Sequence, residues 1–128
     1  MSEIKIKRIY QPIDDSDGFR ILVDRLWARG ISKEAAELYE WQKEAAPTAG
    51  LRKWFDHDPG KFNDFSSAYT AELDRNAFAR QFADECKELL KQNNVTLLYA
   101  AKDESCNHAL ILKKWLEKVI AGEVQSCL

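Results

Sequence analysis

Charged side chains directly follow two apolar stretches of the sequence. In "RILVDRLWARG" an apolar run ends at Asp24 and Arg25, and a second arginine, Arg29, comes four positions later. In "TLLYAAKD" another apolar run ends at Lys102 and Asp103. Arginine grips carboxylate and phosphate groups with parallel hydrogen bonds, and a carboxylate nearby can act as a general acid or base. These residue types therefore predict a site for a small anionic molecule.

The same residues are also consistent with a purely structural role. Every strand must end at the surface, and an adjacent Asp24 and Arg25 can form a salt bridge at the rim of a sheet. Trp27, between the two arginines, is more often a core residue or a pocket wall than a stacking platform for a ligand. Taken alone, the pattern favours the rim salt bridge over the binding site.

Both apolar stretches have the composition of buried β-strands. The runs over residues 19–24 and 95–101 lack polar alternation, which is typical of strands covered on both faces. The stretch "EIKIKRIY" alternates apolar and charged residues and indicates a half-exposed or edge strand. The link between the first two strands is about ten residues, short for a helical crossover, so a wide hairpin and a parallel pair both stay open. If the two charge-terminated strands are parallel neighbours, their charged ends meet where open α/β sheets bind ligands.

The segments between the strands predict several helices. A helix from Ser32 to Pro47 is followed by a helical turn presenting Leu51, Trp54 and Phe55, by helices that begin at Asp58 and before Phe78, and by a last helix from about Asn107 to Ala121 with Gly122 as its stop. Strands separated by helices indicate a single small layered α/β domain, with a short, largely parallel sheet flanked by several helices. We expect it to span residues 1–128, with a flexible tail over about 122–128.

The composition and the net charge limit the classes of protein to which this chain can belong. The 128 residues carry 19 basic and 21 acidic side chains, so no global field favours a polyanion, and nucleic-acid binding would need a local basic patch. Three cysteines without metal-ligand spacing indicate reduced thiols, and we expect neither a metal nor a cofactor. No signal peptide or membrane-length apolar run is present in the sequence, which predicts a cytoplasmic protein away from membranes.

Weaker candidates lie in the helical segments. His57 in "FDHDP" is a more typical loop residue than a metal ligand or base, and Glu72, three positions after Tyr69, could reach a pocket arginine. Cys106 precedes the last helix, but the nearby His108 is only two positions away. Residues two apart in a helix do not face each other, so we do not assign Cys106 as a nucleophile.

Three stretches in a fixed order resemble a known family. "GFRILVDRLWARGISKE", "APTAGLRKWFDHDPGKFNDFSSAYTAEL" and "VTLLYAAKDESCNHALIL" are similar to the YeaO-like branch of the family known as domain of unknown function 488. The resemblance implies a small, mainly bacterial, cytoplasmic α/β protein whose activity is not established. By position it adds Arg52, Tyr99 and Asn107 to the candidate site. The chain departs from the pattern at Ala28, usually Pro, which loosens the turn before Arg29, and at Thr48, usually Ser, which keeps the hydroxyl.

Together these observations give two main hypotheses. The first is an enzyme acting on a small anionic, phosphorylated or nucleotide-like molecule, with acid/base candidates Asp24, Glu72 and Asp103 and with His57 as the alternate. Its ligand-binding residues would be Arg25, Trp27, Arg29, Arg52, Tyr99, Lys102 and Asn107. The second is a non-catalytic module that uses the same arginines to bind a ligand, a nucleic acid or a protein partner. A lesser third reading is a polar network that supports a homodimer.

Overall fold

The structure is a computed structural model that describes residues 2–126, with side chains as far as Gly122. Its strands are β1 (Ile4–Arg8), β2 (Phe19–Leu22), β3 (Glu40–Trp41) and β4 (Val95–Tyr99). Its α-helices are α1 (Lys33–Ala36), α2 (Ala49–Phe55), α3 (Phe62–Asp74), α4 (Ala77–Leu89) and α5 (His108–Ser126). The predicted class, a small α/β fold with a short parallel sheet flanked by helices, is confirmed.

The four strands form one parallel sheet in the order β1-β4-β2-β3. The apolar strand β4 lies between β1 and β2 and is buried along its whole length. β1 and β2 are therefore parallel but not adjacent, which answers the question that the short link left open. β1 is an edge strand, as its alternating pattern predicts. Because β2 and β4 are parallel neighbours, their charged ends lie at the same edge of the sheet.

The two faces of the sheet are covered unequally. Helices α3, α4 and α5 pack on one face against Ile21, Val23 and Leu97. On the other face, Leu22 and Leu98 pack mainly against the chain from about residue 27 to residue 41, together with Ile9 and Ala100. The layer on this second face contains only one short helix, α1, and this layer begins within the arginine-rich stretch after β2.

A buried ion cluster holds the opposite, amino end of the sheet together. The Asp17 carboxylate is 1% exposed and lies 2.7 Å from Lys7 Nζ and 2.6 Å from Arg20 Nη1. Burial by itself would raise the pKa of Asp17, but the hydrogen bonds from Lys7, from the Asp14 N–H and from Arg20 outweigh burial and hold this pKa below its ordinary value. This cluster fixes the turn between β1 and β2.

The predicted helix over residues 32–47 is wrong beyond its first turn. Ser32 caps α1 as expected, accepting a hydrogen bond from the Ala35 N–H, but the helix ends at Ala36 and Glu37 adopts a left-handed conformation with φ 45°. The chain then pairs with the free edge of β2 as β3, where Gln42 N–H donates to the Leu22 carbonyl. Pairing with an open sheet edge outweighs the helical stripe that the sequence suggests.

The remaining helices follow the predictions with two exceptions. Phe65, Tyr69 and Leu73 form the buried stripe of α3, as their spacing predicts. The spacing of Phe78, Phe82, Cys86 and Leu89 predicts one buried stripe on α4, but Phe78 is 55% exposed. α5 continues through Gly122 to Ser126, so the predicted stop at Gly122 is wrong, and residues 127 and 128 of the expected flexible tail lie outside the described residues.

Candidate ligand-binding cleft

A cleft of about 590 Å³ opens at the carboxyl edge of the sheet. Its walls come from the chain after β2, the chain after β4, the start of α5, helix α2 and the residues just before it. Nine of the eleven side chains that the sequence suggests for a site line this cleft: Asp24, Arg25, Trp27, Arg29, Arg52, His57, Lys102, Asp103 and Asn107. We call this space the carboxyl-edge cleft.

Asp24 joins three elements at the floor of the carboxyl-edge cleft. Its Oδ2 accepts a hydrogen bond from the Ala100 N–H at 3.0 Å, and its Oδ1 lies 3.2 Å from Nε2 of His108. The same His108 nitrogen lies 3.0 Å from the carbonyl oxygen of Val23. Because both neighbours of Nε2 are acceptors, this nitrogen must carry the proton. The Asp24 carboxylate thus fastens the end of β2 to the chain after β4 and lies beside α5, while its Oδ1 is buried without a hydrogen-bond partner.

Arg25 is held against the main chain on the opposite wall. Its Nε and Nη2 donate to the carbonyl oxygens of Pro47 and Ala46 at 3.3 and 3.2 Å. β2 ends at Leu22, so the strict alternation of strand side chains has stopped before Asp24. Both Asp24 and Arg25 can therefore line the same space.

Three further cations of the lining have no partner in the part of the chain whose side chains are described. Arg29, Arg52 and Lys102 are exposed and come from three different segments around the carboxyl-edge cleft. Among residues 2–122, whose side chains are described, none of the three forms a hydrogen bond or an ion pair with its side chain. Asp103 faces the same space, but its Oδ1 accepts the N–H groups of Ser105 and Cys106 at 2.8 and 2.9 Å and so holds the turn before α5. Cationic side chains outnumber carboxylates in the lining by four to two.

Aromatic and apolar groups form the rest of the wall. The Trp27 indole N–H donates to the Ile31 carbonyl at 2.7 Å, and its ring meets Trp41 edge-on at 5.2 Å between centroids. Phe55 and Phe65 stack at 4.2 Å between centroids beneath the carboxyl-edge cleft. Trp27 is a fixed pocket wall, in keeping with the reading of its sequence position.

Glu72 and Tyr99 do not reach the carboxyl-edge cleft. The Glu72 carboxylate accepts the N–H and the hydroxyl of Thr48 at 3.0 and 2.6 Å, which ties α3 to the start of α2. Tyr99 is 2% exposed and packs in the core below the edge, where burial raises the pKa of its phenol. The structure therefore does not bring Glu72 and Tyr99 together with the other nine candidates, because each side chain is engaged elsewhere.

Sequence reasoning missed two side chains of the lining, His108 and Tyr10. His108 lies at the first turn of α5, two residues beyond Cys106. In the sequence His108 is considered only as a partner of Cys106, and its contact with Asp24 is not visible there. Tyr10 follows β1, whose carboxyl end also points to this edge of the sheet. The rule that all parallel strands end at one edge could have found Tyr10, had the direction of β1 been known.

The chain matches a family model over residues 3–127, and the model is described as the inactive DUF488-N3 subclade. The chain belongs to the DUF488 family. It is 44% identical over 116 residues to the uncharacterized protein YeaO of Escherichia coli (strain K12), covering 91% of this chain and 98% of YeaO. It is 35% identical over 115 residues to the uncharacterized protein Rv3073c of Mycobacterium tuberculosis (strain ATCC 25618 / H37Rv), covering 90% and 94% of the two chains. The predicted membership of the YeaO-like branch is confirmed.

No solved structure matches the chain significantly. The structure also bears on membranes and metals. None of the helices within residues 2–126 is long and apolar enough to span a membrane. In the same range, no three or more His, Cys, Asp or Glu side chains cluster in a way that could hold a metal ion.

Proposed function

We propose that this DUF488 protein binds a small phosphorylated molecule in the carboxyl-edge cleft without transforming it. The observation that supports the proposal is a difference between the cationic side chains and the carboxylates in their protein partners. Arg29, Arg52 and Lys102 have no partner within the described residues, while the carboxylates of Asp24 and Asp103 are engaged by main-chain N–H groups. The free charges that a ligand would meet are therefore mainly positive, and the exception is Asp24 Oδ1, which is buried and has no hydrogen-bond partner.

A phosphate group suits this set of donors better than a single carboxylate. Phosphate carries close to two negative charges near neutral pH and three strongly accepting oxygens. Cations from three separate segments can approach such a group from three sides, whereas one bidentate arginine already satisfies a carboxylate. The volume of about 590 Å³ lies within the range of small-molecule sites, and Trp27 and Pro47 supply apolar wall for the rest of a nucleotide-like ligand.

Binding is favoured over catalysis because each of the three candidate carboxylates, Asp24, Glu72 and Asp103, already has a hydrogen-bond partner in the protein. A general base needs a hydrogen bond to the substrate proton that it removes. Asp24 already contacts Ala100 and His108, and Glu72 contacts Thr48. The matching family model is described as an inactive subclade, which supports the same choice.

Calorimetry and thermal-shift measurements with inorganic phosphate, nucleoside monophosphates, sugar phosphates and small organic acids test the proposal. We expect phosphate and at least one phosphate ester to bind. Arg52→Ala should weaken that binding about tenfold or more, the loss typical of a hydrogen bond to a charged group. Lys53→Ala is the matched control, because it removes the same charge from the next position of α2 but does not line the carboxyl-edge cleft.

Two results would overturn the proposal. If the wild-type protein binds none of the phosphate compounds, the carboxyl-edge cleft is not a phosphate site. If Arg52→Ala and Lys53→Ala weaken binding equally, the affinity depends on the net charge of the protein and not on contacts in the carboxyl-edge cleft. Conversion of any bound compound into a product would contradict the non-catalytic part of the proposal.

A further inference from the structure

A series of side-chain contacts beside the carboxyl-edge cleft connects the segment after β4 to the arginine-rich stretch after β2. Arg8, at the end of β1, donates from Nε to the Ala101 carbonyl at 2.8 Å and from Nη2 to the Ala100 carbonyl at 3.1 Å. Its guanidinium carbon lies 5.0 Å from the centroid of the Tyr10 ring. The Tyr10 hydroxyl in turn donates to the main-chain carbonyl of Arg29 at 2.7 Å.

Apolar packing of Ala28 and Ile31 holds both sides of this turn, but Arg29 and Gly30 themselves are exposed. The preceding Trp27 is anchored within the loop by its bond to Ile31. Gly30 has a left-handed φ of 81°, and a Cβ there would meet nothing within 4 Å, so the turn is open to solvent. Among residues 2–122, whose side chains are described, the Tyr10 hydroxyl gives the only hydrogen bond that reaches Arg29 or Gly30 from outside the loop.

We infer that Tyr10 is a positioning residue, which holds the Arg29 main chain so that the guanidinium is presented to the bound phosphate. The inference rests on the proposed function of the same cleft. Restricting a loop before a ligand arrives reduces the entropy lost on binding and so increases affinity. Tyr10 is 42% exposed, so its hydroxyl contributes little to the stability of the fold, and its effect is local.

Tyr10→Phe isolates the hydroxyl, because it keeps the ring that Arg8 stacks on. We expect this variant to bind inorganic phosphate about three- to tenfold more weakly than wild type, the effect of one lost hydrogen bond. The midpoint of its urea denaturation should stay at the wild-type value. Tyr39→Phe is the matched control, since Tyr39 is 53% exposed and does not line the carboxyl-edge cleft, and it should leave the affinity unchanged.

A double-mutant cycle separates positioning from direct contact. In an Arg29→Ala background the hydroxyl has nothing left to position, so adding Tyr10→Phe should change the Kd less than about twofold. In an Arg52→Ala background the full effect of Tyr10→Phe should remain. If Tyr10→Phe acts equally in the Arg29→Ala background, or fails to weaken binding in the wild type, the inference is overturned while the phosphate site stands. If wild type does not bind phosphate at all, the proposed function fails first.

Discussion

A pair of glutamates away from the carboxyl-edge cleft gives a prediction about stability and pH. Glu40 lies on the short edge strand β3, and its side chain is hydrogen-bonded to Glu85 of α4 and to Gln42. Partial burial, together with the hydrogen bond and the negative charge of Glu85, raises the pKa of Glu40 from its ordinary 4.5 to about 7. The two carboxyl groups therefore share a proton at mildly acidic pH.

The raised pKa of Glu40 determines how the stability of the fold changes with pH. A carboxyl group whose pKa is higher in the folded state binds protons more tightly when folded, so its contribution to stability is fully present below about pH 4.5. That contribution is lost as the pH rises towards about 7. The interval between the two pKa values sets a ceiling of roughly 3.4 kcal/mol, at 1.36 kcal/mol per pH unit. Because Glu40 is only partly buried, screening by solvent reduces the expected loss to about 1–2 kcal/mol.

Glu40→Gln should remove most of this pH dependence. Glutamine resembles the protonated glutamate in shape and can donate a hydrogen bond to Glu85, so the variant should match wild type near about pH 5. Near about pH 8 it should be more stable than wild type by about 1–2 kcal/mol. Urea denaturation followed by tryptophan fluorescence at several pH values measures the difference, with Trp41 adjacent in the sequence as a local reporter.

Two further variants sharpen the test. Glu44→Gln changes an exposed glutamate near β3 and should leave the pH profile of wild type intact. Glu85→Gln should flatten the profile only in part, since burial of Glu40 remains. Parallel pH profiles for wild type and Glu40→Gln would refute the reasoning, because the shared proton would then contribute nothing to folding.

Two more predictions concern packing. Tyr69→Phe should lower the free energy of unfolding by about 1–2 kcal/mol, because the buried Ala45 carbonyl loses the phenol that donates to it at 2.6 Å; an unchanged urea midpoint would contradict this. Gly18→Ala should cost about 3 kcal/mol or more, since Gly18 has φ 64° and a new Cβ would overlap the Asn94 main chain. Gly50→Ala, at an open position of helix α2, should be neutral or slightly stabilising in the same denaturation assay, and similar losses in both glycine variants would refute the steric argument.

Much of the architecture could be predicted from hydrophobic pattern because burial on two faces leaves a clear signature. The unbroken apolar run of β4 indicates a central strand, and its parallel neighbour β2 follows from the same signature. The strand order could not be predicted, since β1 and β2 are consecutive in sequence but separated by β4 in space. Only the long-range pairing of residues 4–8 with residues 95–99 decides that order.

The chain after α1 shows where local pattern fails. Leu38, Trp41 and Ala45 have helical spacing, yet only a first turn of helix forms and β3 follows. The deciding interactions are distant ones: Tyr39 N–H donates to the Arg20 carbonyl, and the Trp41 indole N–H donates to the Asp24 carbonyl. A single sequence shows the spacing of the apolar residues, but it does not show which sheet edge is left open.

Most of the residues that the sequence indicates line the carboxyl-edge cleft, but the sequence does not indicate the contacts of the candidate carboxylates. An aspartate at a strand end is expected both of a general base and of a group that ties loops together, so the residue type does not separate the two roles. In the structure, Asp24 binds the chain after β4, Asp103 holds the turn before α5, and Glu72 fixes the start of α2. These carboxylates hold the walls of the carboxyl-edge cleft in place. The exposed charges around the carboxyl-edge cleft, those of Arg29, Arg52 and Lys102, are cationic, and this is the physical reason for proposing that the protein holds a phosphate rather than transforms it.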